Sequence, residues 1–358
     1  MKKILKILLI IILVVILAAG AYVAYVFASF HRIGDMDLKV ENPVADKAQI
    51  GQEYDITTWN IGFGAYTADF DFFMDGGTHS WAVSEEALDE NMKNIASTVN
   101  GFKSDFYLFE EVDFDSTRTY HVDERTYLTD VLKRYNYTWA QNYDSPFLFY
   151  PFTEPHGASK SCIMTFSKYN ISAANRVGLP IDEGMTKFLD LDRCYSVSRV
   201  PLKDKKGNEE NAPELVIYTL HLSAYSADGS IATEQLNLLI ADMQKEYEKG
   251  NYCIAGGDFN KDLLGDSSKY FGIPNDGYTW AQPIPDGTFD DVNLKLMAPE
   301  PDNPSCRNCD APYNPEQFVI TVDGFIVSDN ITVDSCKVLF NDFIYSDHCP
   351  VKMHFKLN

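Results

Sequence analysis

Several polar residues stand where apolar, strand-like runs end. Asn60 follows ITTW, Glu111 follows FYLFE, His221 follows VIYTL, and Asp258 and Asn260 follow YCIAGG. Asp323 lies inside FVITVDGFIV, and Asp347 and His348 adjoin in YSDHCPV. Taken singly, each has a plain structural reading. An Asn or Asp after a strand commonly makes a turn or cap, a lone His is more often structural, and Glu111 could be solvated beside Glu110 and Asp113. Taken together they supply hard oxygen ligands, two imidazoles and amide groups, the inventory of metal-assisted hydrolysis. Side chains at the same ends of neighbouring strands converge on one pocket, which is how a rigid scaffold builds a site.

The elements that must position them read as a mixture of strands and helices. Strand patterns cover Tyr54–Asn60, Asp105–Phe109, Tyr137–Gln141, Ser161–Phe166, Tyr195–Val200, Leu215–Leu220, Tyr252–Ala255, Val319–Val327 and Val351–Phe355. Helical patterns cover Glu85–Val99, Thr126–Tyr135 and Ile231–Tyr247, the last with an apolar face of Leu236, Leu239, Ile240 and Met243. Many strands with few intervening helices indicate packed sheets covered by helices, an α/β sandwich rather than a regular barrel. Two loops stand out: the aromatic and proline-rich Tyr143–Lys160, and Gln282–Glu316, which holds seven of the sixteen prolines.

Ahead of this domain, Ile7–Phe30 carries no charge and is long enough to cross a hydrocarbon core of about 30 Å at about 1.5 Å per residue. Residues 1–6 read as a cytoplasmic basic n-region, 7–30 as a transmembrane signal anchor, 31–53 as a tether and 54–358 as one catalytic domain. Lys2, Lys3 and Lys6 precede the span, so the positive-inside bias places the N-terminus in the cytoplasm and the domain outside. Cleavage as a signal peptide, with secretion, is the alternative. The first 32 residues hold four of the 30 basic and none of the 52 acidic residues, leaving the remainder at a net charge of −26. Such a surface is not built to hold long polyphosphate backbones by unspecific attraction. An odd count of seven cysteines excludes a disulfide framework. Cys162, Cys253 and Cys349 read as buried thiols. Cys306 and Cys309, in CRNC, read as a local disulfide or two free thiols rather than a zinc site, and export favours the disulfide.

The segments TWNIG, FEEVD, TLHLSAY, GGDFN, TVDGFIV and YSDHCPV, in that order, resemble the endonuclease/exonuclease/phosphatase superfamily with its DNase I-like fold. The resemblance implies a four-layered α/β sandwich with two central, mostly antiparallel sheets flanked by helices, and Mg²⁺- or Mn²⁺-dependent phosphoester hydrolysis. It makes Glu111 and Asp347 metal-site carboxylates and Asn60 the asparagine that supports the metal and the phosphate. Asp258 and Asn260 would position the attacking water and a phosphate oxygen, His348 would contact the scissile phosphate with Asp323 as its partner, and His221 would support charge in the transition state. Glu110 stands where the family has glutamine, so its added charge either tightens cation binding or points outward. His156, Lys160, Arg199 and Arg307 are weaker candidates for contacts to substrate phosphate.

The sequence is thus read as a metal-dependent phosphoesterase that uses an activated water, most simply an extracytoplasmic nuclease. A sphingomyelinase-like or phospholipase C-like enzyme, or an inositol-type phosphatase, is the alternative. A surface-binding module that has lost its chemistry is the rival from another class. The expected partners are a phosphoester substrate and the membrane, with no obligate protein partner. The group that takes the water's proton stays open.

Overall fold

In the computed structural model, which describes residues 2–181, 184, 187, 192–224, 230–274 and 280–358, two sheets stack face to face. The larger follows the order β1 (Met36–Asp37), β7 (Ala173–Gly178), β8 (Cys194–Lys203), β9 (Glu214–His221), β10 (Tyr252–Asp258), β14 (Asp323–Ser328), β11 (Leu294–Met297), with β2 (Ala48–Gln49) paired to β8. The smaller runs β15 (Ile331–Val338), β16 (Val351–Leu357), β3 (Glu53–Asn60), β4 (Phe106–Asp113), β6 (Lys160–Ser167), β5 (Asn136–Asp144). Pairing is antiparallel except for β2/β8, β3/β4 and β9/β10.

The alternation of side chains along each strand sorts the core into layers. Phe106 and Leu108 of β4 and Leu215 and Ile217 of β9 point between the sheets, where they meet Ile254, Phe325 and Phe355. The residues between them face outward. Tyr107 and Phe109 pack under α2 (Glu85–Phe102), on Leu88, Met92, Ile95 and Val99. Val216 and Tyr218 pack under α4 (Ser230–Glu248), on Leu236, Leu239, Ile240 and Met243. The result is helix, sheet, sheet, helix, as the four-layered expectation requires. α2 begins sharply because Ser84 accepts a hydrogen bond from Ala87 N, with Glu85 and Glu86 in the first turn.

Several details differ from the sequence expectation. The second helix, α3, covers only Arg125–Val131 and turns before Tyr135. The run Val319–Val327 divides into β13 (Val319–Ile320), paired with β12 (Cys306–Arg307), and β14. The loop Gln282–Glu316 therefore contains strand β11 and β12 and is not structureless. Residues 31–53 do not hang free: Met36 and Asp37 pair with β7, Ala48 and Gln49 pair with β8, and Ile33 N donates to Asp192 Oδ1 at 2.8 Å.

α1 (Lys2–Ser29) carries no charge after Lys6, is long and apolar enough to cross a membrane, and has no buried residue. Its C-terminal end touches the domain. Tyr22 Oη donates to Phe147 O and accepts from Phe149 N, and Tyr25 Oη accepts from Phe147 N.

Candidate active site

Parallel pairing brings strand ends together at one edge of the sandwich. Asn60, at the end of β3, stands opposite Glu110 of β4, and His221, at the end of β9, stands opposite Asp258 of β10. The antiparallel neighbour β14 starts at this edge, so Asp258 also faces Asp323. His348, just before β16, joins through a bridge to Cys306.

Two backbone devices aim the side chains. The pairing of β4 with β6 slips between Phe109 and Val112, and Glu111 adopts φ +54°. This bulge re-aims consecutive residues: Glu111 enters the cleft, while Glu110 is fully buried between the sheets, accepting from Thr58 Oγ1 at 3.0 and 3.3 Å. Glu110 therefore neither reaches the cleft nor points outward, correcting both alternatives drawn from the sequence. Gly257 has φ +144°, and a Cβ there would stand 2.0 Å from Leu220 O. Only glycine lets β10 lie this close to β9 and deliver Asp258 to the site.

The resulting cleft, about 380 Å³, is lined by Glu111, His221, Asp258, Asn260, Arg307, Asp347 and His348. Asp258 is its centre. Oδ1 accepts from Asn260 N at 2.8 Å and Oδ2 from Asn60 Nδ2 at 3.2 Å, with His221 Nε2 at 3.4 Å and His348 Nε2 at 3.8 Å. Asn60 also donates to Glu111 Oε1 at 3.2 Å, while its own oxygen accepts from Gly62 N at 3.0 Å. Asn60 thus clamps the two carboxylates together. Asn260 Nδ2 is held by Leu222 O at 2.7 Å.

His348 Nδ1 lies 2.8 Å from Asp323 Oδ2, which also accepts from Ser305 Oγ at 2.7 Å. A carboxylate can only accept, so Nδ1 carries a proton and Nε2 faces Asp258. Burial opposes a charge on His348, but Asp323 and the neighbouring acids outweigh it and raise its pKa well above the usual value. His221 goes the other way: burial, then the positive charges of Arg193 and His348, lower its pKa far enough to keep the ring neutral. Burial raises Asp258, with His348 opposing and Asp323 and Glu111 adding to the rise. The two imidazoles flanking one carboxylate are therefore in opposite states.

The donor set fits a divalent cation. Glu111 and Asp347 both line the cleft and remain partly exposed. Burial lifts the Asp347 pKa to about 6, with Glu111 adding repulsion against His348, and a cation between the two relieves that repulsion. Asp258, Asp323 and His348 also present ligand atoms within 4.8 Å of one another. The His348–Asp323 hydrogen bond commits two of those three groups to each other, which leaves Glu111 and Asp347 as further carboxylates of the cleft that could hold a cation.

The weaker candidates divide. His156 lines a recess of about 60 Å³ that shares Glu111 and His221 with the cleft, and burial beside Arg118 lowers its pKa to about 4. Lys160 pairs with Asp115 at 3.1 Å. Arg199 is held by Glu246 and Glu214 at 2.8 and 2.9 Å and is absent from the cleft lining. Arg307 reaches the lining, but its Nη atoms donate to Asn308, Ala311, Thr67 and Phe70 carbonyls, so it braces loops. Cys306 and Cys309 are both free thiols, against the disulfide expected on export: Cys306 Sγ contacts His348 Nε2 at 3.5 Å, whereas Cys309 Sγ bonds Phe70 O. Cys162, Cys253 and Cys349 are buried thiols as expected. Tyr225, the last residue of TLHLSAY, lies outside the described residues.

Arg193, Ser305 and Tyr66 were not anticipated. Arg193 lines both the cleft and the recess. It immediately precedes β8, and because β8 runs antiparallel to β9, with Tyr195 opposite Leu220, that strand start falls at the catalytic edge. The basic residue before CYSVSRV was a usable signal only once that pairing was known.

Fold and site together define an enzyme that hydrolyses phosphoester bonds. More particularly, the chain belongs to the Endonuclease/Exonuclease/phosphatase family, whose sequence profile matches residues 57–348. Among solved structures, the chain is similar to an endonuclease/exonuclease/phosphatase from Beutenbergia cavernae DSM 12333, with 18% identity and a TM-score of 0.55 over 86% of this chain and 72% of that one. A family protein from Leptotrichia buccalis C-1013-b gives 16%, 0.53, 85% and 99% for the same measures. ANGEL2, a 2′,3′-cyclic phosphatase, gives 15%, 0.52, 90% and 98%. No curated protein is similar enough in sequence to match.

Proposed function

We propose that the protein is a membrane-anchored phosphodiesterase, with its catalytic domain outside the cytoplasm, that uses a divalent cation, Mg²⁺ or Mn²⁺, held by Glu111 and Asp347. Bound there, the cation neutralises phosphoryl oxygens and polarises the phosphorus for attack. The observation that carries the reading is the convergence on Asp258 of a neutral and a charged imidazole beside those two carboxylates. Asp258, fixed by Asn60 and Asn260, orients the water. His348, with its ring set by Asp323, donates from Nε2 to a phosphoryl oxygen as negative charge develops, and His221 donates from Nε2 beside it. Arg193, which lines both the cleft and the adjoining recess, adds a positive charge.

Two features support the topology: the apolar length of α1, and the lysines confined to its start. A long nucleic-acid substrate is less well supported. Apart from the imidazoles of His221 and His348, Arg193 and Arg307 are the basic side chains among the described residues lining the cleft, and Arg307 is occupied by backbone carbonyls. The test is hydrolysis by the full-length protein in detergent, with Mg²⁺, Mn²⁺ or chelator, against DNA, RNA, sphingomyelin, phosphoinositides and bis(p-nitrophenyl) phosphate. Metal-dependent cleavage of any of these upholds the reading. Equal cleavage in chelator contradicts it.

A further inference from the structure

We infer that the catalytic cleft opens against the membrane, with an aromatic rim seated in the outer interface, and that the substrate is the phosphoester of a lipid headgroup. The substrate part rests on the proposed hydrolysis; the placement does not.

Three observations on different parts of the chain carry the placement. The first is the depth of the docking point on α1. Counted from Lys6, Tyr22 and Tyr25 lie about 24 and 28 Å along the helix at about 1.5 Å per residue, where a hydrocarbon core of about 30 Å gives way to headgroups. Tyrosine is enriched at that level. The two hydroxyls hydrogen-bond the backbone of Phe147 and Phe149, and the Tyr22 and Phe149 rings meet edge to face at 5.4 Å. The loop is therefore held at the membrane boundary.

The second is what the loop presents there. Phe149, Tyr150 and Phe152 are 54, 62 and 83% exposed, and Val83, two residues from the Trp81 that donates to Pro155 O, is 65% exposed. Contiguous exposed aromatics on a domain of strongly negative charge mark a contact surface rather than a solvated loop. Continuity with α1 names the occupant as the bilayer.

The third is that this rim belongs to the catalytic edge. Tyr150 packs on Phe73 at 5.8 Å, and the next residues, Met74 and Asp75, line the cleft. On the other side, Arg32 and Ile33, just past α1, bond Leu179 O and Asp192, the neighbour of cleft-lining Arg193. The chain thus leaves the membrane beside the cleft. The turn after β8, near Asn208, lies at the far end of a ten-residue strand, about 33 Å away.

The test uses the full chain in phosphatidylcholine nanodiscs containing sphingomyelin and phosphatidylinositol. An environment-sensitive fluorophore is placed on Phe152→Cys and, separately, on Asn208→Cys, and quenching by nitroxide-labelled phosphatidylcholine is measured. Quenching several-fold stronger at position 152 is expected; equal quenching at the two positions overturns the placement whether or not the enzyme is active. In the second arm, F149S/F152S should cut release of lipid headgroup by about tenfold, equivalent to about 1.4 kcal/mol. Its turnover of bis(p-nitrophenyl) phosphate and its unfolding midpoint should not change. Equal loss on both substrates, or cleavage of the soluble diester with neither lipid cleaved, overturns the lipid assignment. Failure of the wild type on every substrate counts against the hydrolytic reading, while the quenching result still decides the placement.

Discussion

Replacing Glu110 by glutamine isolates one buried carboxyl from the rest of the site. Glu110 is fully buried, its one hydrogen-bond donor among the described residues is Thr58 Oγ1, and Asp323 and Asp258 lie near it. Burial first, then the charge of Asp323, raises its pKa well above the free value of 4.5. The folded chain therefore holds a proton that the unfolded chain releases above that pH, and stability falls as pH rises. Each pH unit above 4.5 over which the folded chain keeps this proton and the unfolded chain has lost it costs about 1.4 kcal/mol. Glutamine keeps an acceptor for Thr58 and cannot titrate. Its extra N–H group adds a pH-independent offset of about 1–3 kcal/mol if unpaired, so the slope is the discriminating quantity. Urea unfolding of metal-free wild type and Glu110→Gln in detergent, followed upward from pH 4.5, should show the variant gaining on wild type with a slope of up to about 1.4 kcal/mol per pH unit. A difference that does not change with pH would refute the reasoning that Glu110 is held neutral.

Other residues give separable outcomes. Asp323→Asn should lower kcat by about 100-fold or more through loss of the His348 ring's partner, while the unfolding midpoint moves little; an unchanged kcat argues against the His348–Asp323 pair. Arg193→Gln should raise KM about tenfold with partial rescue by Arg193→Lys, and an unchanged KM removes Arg193 from substrate contact. Arg199→Ala should cost about 1–2 kcal/mol of stability and leave turnover unchanged, since its partner Glu246 is otherwise left buried. Burial opposes the charge on Glu246, but Arg199, Lys249 and Asn251 outweigh it and hold its pKa down at about 2. That contribution is therefore present above the free value of 4.5 and is lost as pH falls toward 2. Arg199→Ala and wild type should converge in stability at the acid end of an unfolding series.

The central strands were legible because buried strands write continuous apolar runs; β3, β9 and β10 end in the candidate site residues Asn60, His221 and Asp258, and β4 carries Glu111 two residues before its end. β7 (AANRVG) and β15 (ITVDSCKV) were missed because edge or half-exposed strands carry polar residues that weaken the pattern. The site residues could be collected from strand ends, but not their division of labour. That Asn60 clamps two carboxylates, that Glu110 turns inward, and that Arg307 braces carbonyls all depend on a bulge and on long-range hydrogen bonds. Arg193 depended on strand order. The segment after the apolar helix α1 reads as a polar tether, yet it pairs with β7 and β8 of the larger sheet.

Turnover by Asp258→Asn against wild type, each with Mg²⁺ and with chelator, bears most directly on the central claim. The substitution preserves shape and hydrogen-bond acceptance at one oxygen while removing the charge that two imidazoles and Asn60 converge on. Wild type should require the metal, and the variant should lose about 1,000-fold or more in kcat with its fold and metal affinity nearly intact. Near-normal metal-dependent turnover by Asp258→Asn would contradict the assignment of this cleft as the active site.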